Sequence, residues 1–154
     1  MGAAAETTAS GDWRIAREVD TVTGGTLTNI SLESSQTSHP GLALIPHALL
    51  QFACLKGQLL IHLQFAFQVG SKADSDISYR FDEKPSHSVE AHILRGLKIV
   101  VIENKGEVAQ FVQGLQTANA LYVEITSLAK GRTVAGFRVT GASTAIGAAR
   151  AACH

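Results

Sequence analysis

Two cysteines, Cys54 and Cys153, and six histidines carry most of the reactive chemistry in this sequence. Two cysteines placed far apart read as one long-loop disulfide. Such a bond belongs to an oxidising compartment, because cytosolic thiols are kept reduced. Closing a loop of about 100 residues stabilises a fold by about 4–5 kcal/mol in the chain-entropy picture. The alternative is two buried thiols acting as small hydrophobes. The histidines are His39, His47, His62, His87, His92 and His154. None pair at the i, i+4 spacing of a helical zinc motif. His87 and His92 fall on opposite faces of a strand, and zinc wants three or four converging ligands. No metal site is expected. Nucleophilic catalysis needs a nucleophile, a base and an orienting group in contact. Ser, His and Asp are plentiful here, but no G-x-S-x-G elbow and no phosphate-cradling loop is present. Cys153 beside His154 resembles a Cys–His pair, although a disulfide consumes that thiol. Asp82 and Glu83 read as a solvated turn. No catalytic, cofactor-binding or metal-binding residue is therefore assigned, and no cofactor is expected. One surface remains. In Tyr79-Arg80-Phe81-Asp82, Arg80 and Asp82 sit two apart on a strand and face outward on one side. With Lys84 in the following turn they form a candidate partner surface, the alternative being a solvated face whose ion pairs contribute little.

The composition narrows the partner. The chain has 154 residues, 45% of them hydrophobic, with zero formal net charge, enough for one domain with a core. No excess of Lys and Arg is available to neutralise a phosphate backbone or to meet an anionic membrane. No segment reaches the ~18 apolar residues of a spanning helix; the nearest, residues 59–67, is interrupted by His62 and Gln64. Met1-Gly2 followed by Ala3-Ala4-Ala5 looks like a start placed on a mature exported protein whose signal has been removed. Asn29-Ile30-Ser31 matches a glycosylation acceptor, a pattern common by chance.

The elements that position these residues follow from periodicity. Residues 1–11 are small and polar and read as a disordered leader. Residues 13–19 alternate partially and 26–32 form a mixed strand, with a turn at Thr23-Gly24-Gly25 between them. Residues 33–46 read as a long loop. Residues 47–55 and 58–67 flank Lys56-Gly57, a hairpin signal. In the first of these, Leu50, Phe52 and Cys54 share one face, which points Cys54 into the core. In the second, Leu59, Ile61, Leu63, Phe65 and Phe67 share a face and His62 lies on the solvent side. Ile77, Tyr79 and Phe81 alternate with polar residues, 88–94 is a weaker returning strand, and 97–102 is a short apolar run. Val108, Phe111, Val112 and Leu115 follow the spacing of an amphipathic helix. Leu121, Val123 and Ile125 face inward from one strand, and Thr133, Ala135, Phe137 and Val139 form its return. Ser143 is placed to cap a final Ala-rich helix.

Several short segments together resemble a family of small exported bacterial proteins. They are Trp13-Arg14-Ile15, Leu50-Gln51-Phe52-Ala53-Cys54, Ile77-Ser78-Tyr79-Arg80-Phe81-Asp82, Phe137-Arg138-Val139-Thr140-Gly141 and Ala148 through Cys153. That family includes type VI secretion accessory proteins of the VasI kind. A more distant similarity is to invasion-associated locus B-like periplasmic proteins. The resemblance implies a disulfide between Cys54 and Cys153, and a non-enzymatic role outside the cytoplasm.

The reading is an α+β fold, mostly antiparallel β (a sandwich or a strongly curved sheet) with two short helices and one disulfide. Residues 12–154 form its single β-rich domain. The expected function is that of a periplasmic or secreted, non-catalytic binding or secretion-accessory domain, whose partner is a protein or an envelope component. The other readings are a small periplasmic hydrolase acting on envelope material and an enzyme inhibitor that inserts loop 33–46.

Overall fold

A computed structural model describes residues 6–42, 45–70, 75–94, 96, 98–127 and 130–153. The elements run in the order β1 Glu6–Ser10, β2 Trp13–Val19, β3 Thr26–Glu33, β4 Gln36–Ser38, β5 Leu49–Leu55, β6 Gln58–Gln64, β7 Ser75–Phe81, β8 His87–Ser88, β9 His92–Ile93, β10 Ile99–Ile102, α1 Lys105–Leu115, β11 Ala120–Ser127, β12 Gly131–Arg138 and α2 Ala142–Ala152. They build two antiparallel sheets, a seven-stranded one ordered β1-β2-β3-β5-β6-β10-β9 and a five-stranded one ordered β4-β12-β11-β7-β8.

Period-two patterning explains the strands. In β7, β11 and β12 the inward sets Ile77/Tyr79/Phe81, Leu121/Val123/Ile125 and Thr133/Ala135/Phe137 are all buried, as alternation dictates. The seven-stranded sheet contributes Trp13, Ile15, Ile30, Leu32, Leu50, Phe52, Ile61 and Leu63 to the same core. Burying each such large side chain contributes about 1.5–3 kcal/mol. Helix α1 joins the two sheets. Phe111 meets Tyr79 and Phe81 at ring-centroid distances of 5.0 and 5.6 Å, while the helix also packs on β6. Asn104 caps it through Oδ1, which accepts from the Glu107 amide at 3.1 Å, satisfying one orphan donor of the first turn.

The β5–β6 hairpin turns on Lys56 and Gly57, both at positive φ (52° and 77°), the geometry of a two-residue primed turn. The opposite end is fixed by a close approach. Gly11 and Gly141 have φ of +61° and +92°, and a Cβ on either would strike the other turn, at the Thr140 carbonyl and the Ser10 backbone respectively. Trp13 seals this corner. It is fully buried, stacks on Phe52 at 5.6 Å, and donates its indole N–H to the Val139 carbonyl at 3.1 Å.

Several expectations are corrected. Residues 6–10, expected within a disordered leader, form β1 and pair with β2 from Glu6↔Arg17 to Ser10↔Trp13; residues 1–5 lie outside the described residues. Polar strands at a sheet edge need no alternation, which is why the pattern missed this one. Loop 33–46 contains β4, which pairs with β12. The single returning strand at 88–94 is two, β8 on one sheet and β9 on the other, so the chain crosses between sheets there. Ser143 is not the cap of α2: the cap is Gly141, without a side-chain hydrogen bond.

Candidate interaction surface

The disulfide is formed between Cys54 and Cys153, with Cα atoms 5.5 Å apart across a sequence separation of 99. It ties the C-terminus of α2 to the end of β5. Cys54 keeps the parity of Leu50 and Phe52, yet it is exposed rather than in the core. It lies one strand repeat beyond Phe52, past the edge of what the opposing elements cover.

The three residues of the expected partner surface have different roles. Arg80 faces outward, lays its guanidinium 4.3 Å over the Tyr122 ring and donates through Nη1 to the Asp82 carbonyl. Asp82 sits at φ +50°. Its carboxylate accepts from the amides of Asn119 at 3.1 Å and Ala120 at 2.9 Å, and its own amide donates to the Ala120 carbonyl at 3.0 Å. Asp82 is thus a clip joining the end of β7 to the start of β11. Lys84 is exposed on the turn and its amide donates to the Phe81 carbonyl at 2.9 Å.

Arg80 and Lys84 line one wall of a cleft of about 500 Å³, and the other is supplied by Gln110 and Gln113 of helix α1 with Gln116 at its C-cap. Asp82 does not line it. The cleft has a tight base: a Cβ on Gly114 would overlap the Phe81 ring. The Tyr79 hydroxyl lies buried without a hydrogen-bond partner, a state uncommon in native proteins. Burial, and then the nearby charge of Glu107, push its pKa up to about 12, so it stays a neutral donor. His87, also lining the cleft, sits edge-on to Tyr79 at 5.5 Å and pairs with Glu107 at 3.1 Å. The glutamines were not singled out from sequence. Their i, i+3, i+6 spacing on the side of α1 away from Val108, Phe111, Val112 and Leu115 is the signal that could have found them.

The remaining histidines are dispersed. His39 Nδ1 meets Thr133 Oγ1 at 2.7 Å, and burial followed by the charge of Lys130 lowers its pKa. His47 Nδ1 meets the Ser34 carbonyl at 2.7 Å. His62, expected on the solvent side, is half-buried, and burial lowers its pKa. His92 pairs with Glu103 at 2.6 Å. His154 lies outside the described residues. Among the described residues no three His, Cys, Asp or Glu side chains converge on a common point, and no helix is long and apolar enough to cross a membrane. Comparison with known proteins returns no matching family model, no matching curated protein and no matching solved structure.

Proposed function

We propose that this chain is an exported, non-catalytic binding or secretion-accessory domain of the bacterial envelope, and that it holds a protein or envelope component in the cleft between β7 and α1. The observation that carries the reading is the composition of that cleft: the exposed Lys84 and the strand at Arg80 line one wall, Gln110, Gln113 and Gln116 line the other, and no Asp or Glu is among the described residues that line it. Amides supply donors and acceptors together, and the cations select for negative charge. The disulfide supports the compartment, since such bonds persist where thiols are oxidised. The resemblance of the short segments quoted above to those of secretion accessory proteins is what suggests the accessory role. Within the described part of the 33–46 region, which an inhibitor would project, His39 is bonded to Thr133 and β4 is paired to β12.

A photo-crosslinker at Gln113 tests the reading. In extract of the bacterial envelope, Gln113 should capture a discrete partner that a crosslinker at Asn29, exposed on β3, does not. Lys84→Glu should abolish the capture without altering the fold. Equal capture from both positions refutes the cleft. Turnover of an ester, peptide or glycan, abolished by a single Ser, His or Asp replacement, replaces the binding reading with an enzyme.

A further inference from the structure

A second cleft, of about 470 Å³, lies where the β5–β6 turn, the first turns of α1 and the end of α2 meet. Its rim carries Lys56 from the hairpin turn, Lys105 from α1 and Arg150 from α2. All three are exposed, and none has an ion-pair partner among the described residues. No Asp or Glu is among the described residues that line the cleft. In a chain whose formal charge sums to zero, this is a local excess of three positive charges. Lys105 opens α1, the end where the helix dipole already carries partial positive charge and a cation is disfavoured. Helix stability alone gives no reason for a cation there. The floor is apolar: the half-buried Leu59 from β6, with the buried Val108 and Val112 from α1. The walls are also held together covalently, because Cys153 borders the cleft and its disulfide fastens the end of α2 to β5, the strand that leads into Lys56.

The geometry points to a binding site for an acidic peptide segment of a protein partner, with an apolar side chain of the segment on the Leu59/Val108/Val112 floor and flanking carboxylates on Lys56, Lys105 and Arg150. Charge complementarity sets the sign of the ligand. The concave shape favours a peptide over a lipid surface, since a bilayer cannot follow the rim down to an apolar floor set below it. This site is separate from the cleft beside Arg80 and shares none of its residues.

The test uses the oxidised protein and a fluorescein-labelled peptide with a central leucine flanked by glutamates, followed by fluorescence polarisation. The peptide should bind, whereas its glutamine counterpart should not. Lys56→Asn, Lys105→Gln and Arg150→Gln should each weaken binding by about two- to fivefold, the range for exposed charge pairs, and the triple variant should lose it. Asn tolerates the positive φ at position 56, so the fold is retained. Raising salt from about 0.1 M to about 1 M shortens the Debye length from about 10 Å to about 3 Å and should weaken wild-type binding about tenfold, a readout that needs no variant. Lys84→Glu, in the other cleft, should leave the affinity unchanged. Absence of binding, equal binding of the glutamine peptide, or an undiminished triple variant overturns the proposal. So does capture by phosphatidylglycerol vesicles that depends on the same three cations while the peptide fails to compete, because the occupant is then a lipid surface.

Discussion

Breaking the Cys54–Cys153 bond should cost this protein most of what the bond takes from its unfolded state. The bond joins residues 99 apart. In the chain-entropy relation a loop of that size removes about 16 cal/mol/K from the unfolded ensemble, or about 4.7 kcal/mol at room temperature. Against a typical domain stability of about 5–15 kcal/mol, that is a large fraction. Part of the native packing does not depend on the bond. Ala142, Ala145, Ile146 and Ala149 stay buried on α2, and Trp13 still donates to Val139 just before the helix. The folded state should therefore survive reduction, and the loss should appear in the unfolded state. Urea denaturation of oxidised protein and of the Cys54→Ser, Cys153→Ser double variant measures this. The expected result is a midpoint shift equivalent to about 3–5 kcal/mol and a steeper denaturant slope for the variant, whose unfolded chain is more expanded. Because Cys54 is exposed, a reductant should open the bond in the native state, without prior unfolding. A variant within about 0.5 kcal/mol of wild type would refute the argument, since that is the scatter of neutral surface substitutions. A full stability loss with an unchanged slope would place the effect in the native state instead.

Removing the orphaned Tyr79 hydroxyl by Tyr79→Phe should stabilise the fold by about 1 kcal/mol, because an unpaired buried group carries its desolvation cost; thermal denaturation showing destabilisation would mean the hydroxyl has a partner. Asp82→Ala should cost about 2 kcal/mol in chemical denaturation by stripping two backbone amides of their acceptor, while Asp82→Asn, which keeps one acceptor oxygen and tolerates the positive φ, should cost less than about 1 kcal/mol. Burial lowers the pKa of His39 and His62 from 6.5, so the unfolded chain binds those protons more readily; stability should be level above pH 6.5 and fall as pH drops through it, and His39→Gln with His62→Gln should flatten that slope. Reduction should also weaken acidic-peptide binding at the cleft bordered by Cys153 while sparing capture at the cleft beside Arg80, which a polarisation titration and the Gln113 crosslink read separately.

What could be read from the sequence was what short-range periodicity controls. Ile77, Tyr79 and Phe81 alternate because a strand has a period of two, and Val108, Phe111, Val112 and Leu115 share a face because a helix repeats every 3.6 residues; all seven are buried. The disulfide followed from an even count of cysteines, a covalent constraint that local structure does not obscure. Other features depend on where the core ends. Alternation assigns Cys54 a face, but its exposure is set by how far the opposing elements extend along β5. His62 shows the converse: its side of β6 also carries Leu60, and the two lie in a groove with Val101, which half-buries a residue expected in solvent. The polar strand β1 is held by its pairing with β2 and by the contact of Gly11 with Thr140, neither visible in Glu6-Thr7-Thr8-Ala9-Ser10. The clefts were least legible, because each gathers residues from separated segments, two beside Arg80 and three beside Cys153.

Helix α1 gives those clefts their independence. Its apolar stripe, Val108, Phe111, Val112 and Leu115, is committed to the core. That leaves two flanks. One presents Lys105 and Ala109 to the cleft closed by the disulfide. The other presents Gln110 and Gln113, with Gln116 at the C-cap, to the cleft beside Arg80. One helix of 11 residues therefore separates a cation-rimmed apolar groove from an amide-lined polar one. The two differ in what holds them. The first keeps its shape through a covalent bond at an exposed site, which a change in redox conditions can break. The second is fixed by the Phe81 ring against Gly114 and by the Asp82 clip to β11, contacts that do not respond to oxidant. A ligand in either cleft meets the same buried stripe from opposite sides. Coupling between the two sites must pass through the position of α1, and it is limited by the cost of moving Phe111 among the rings of Tyr79 and Phe81. Close-packed interiors resist such displacement, which favours two sites that fill independently.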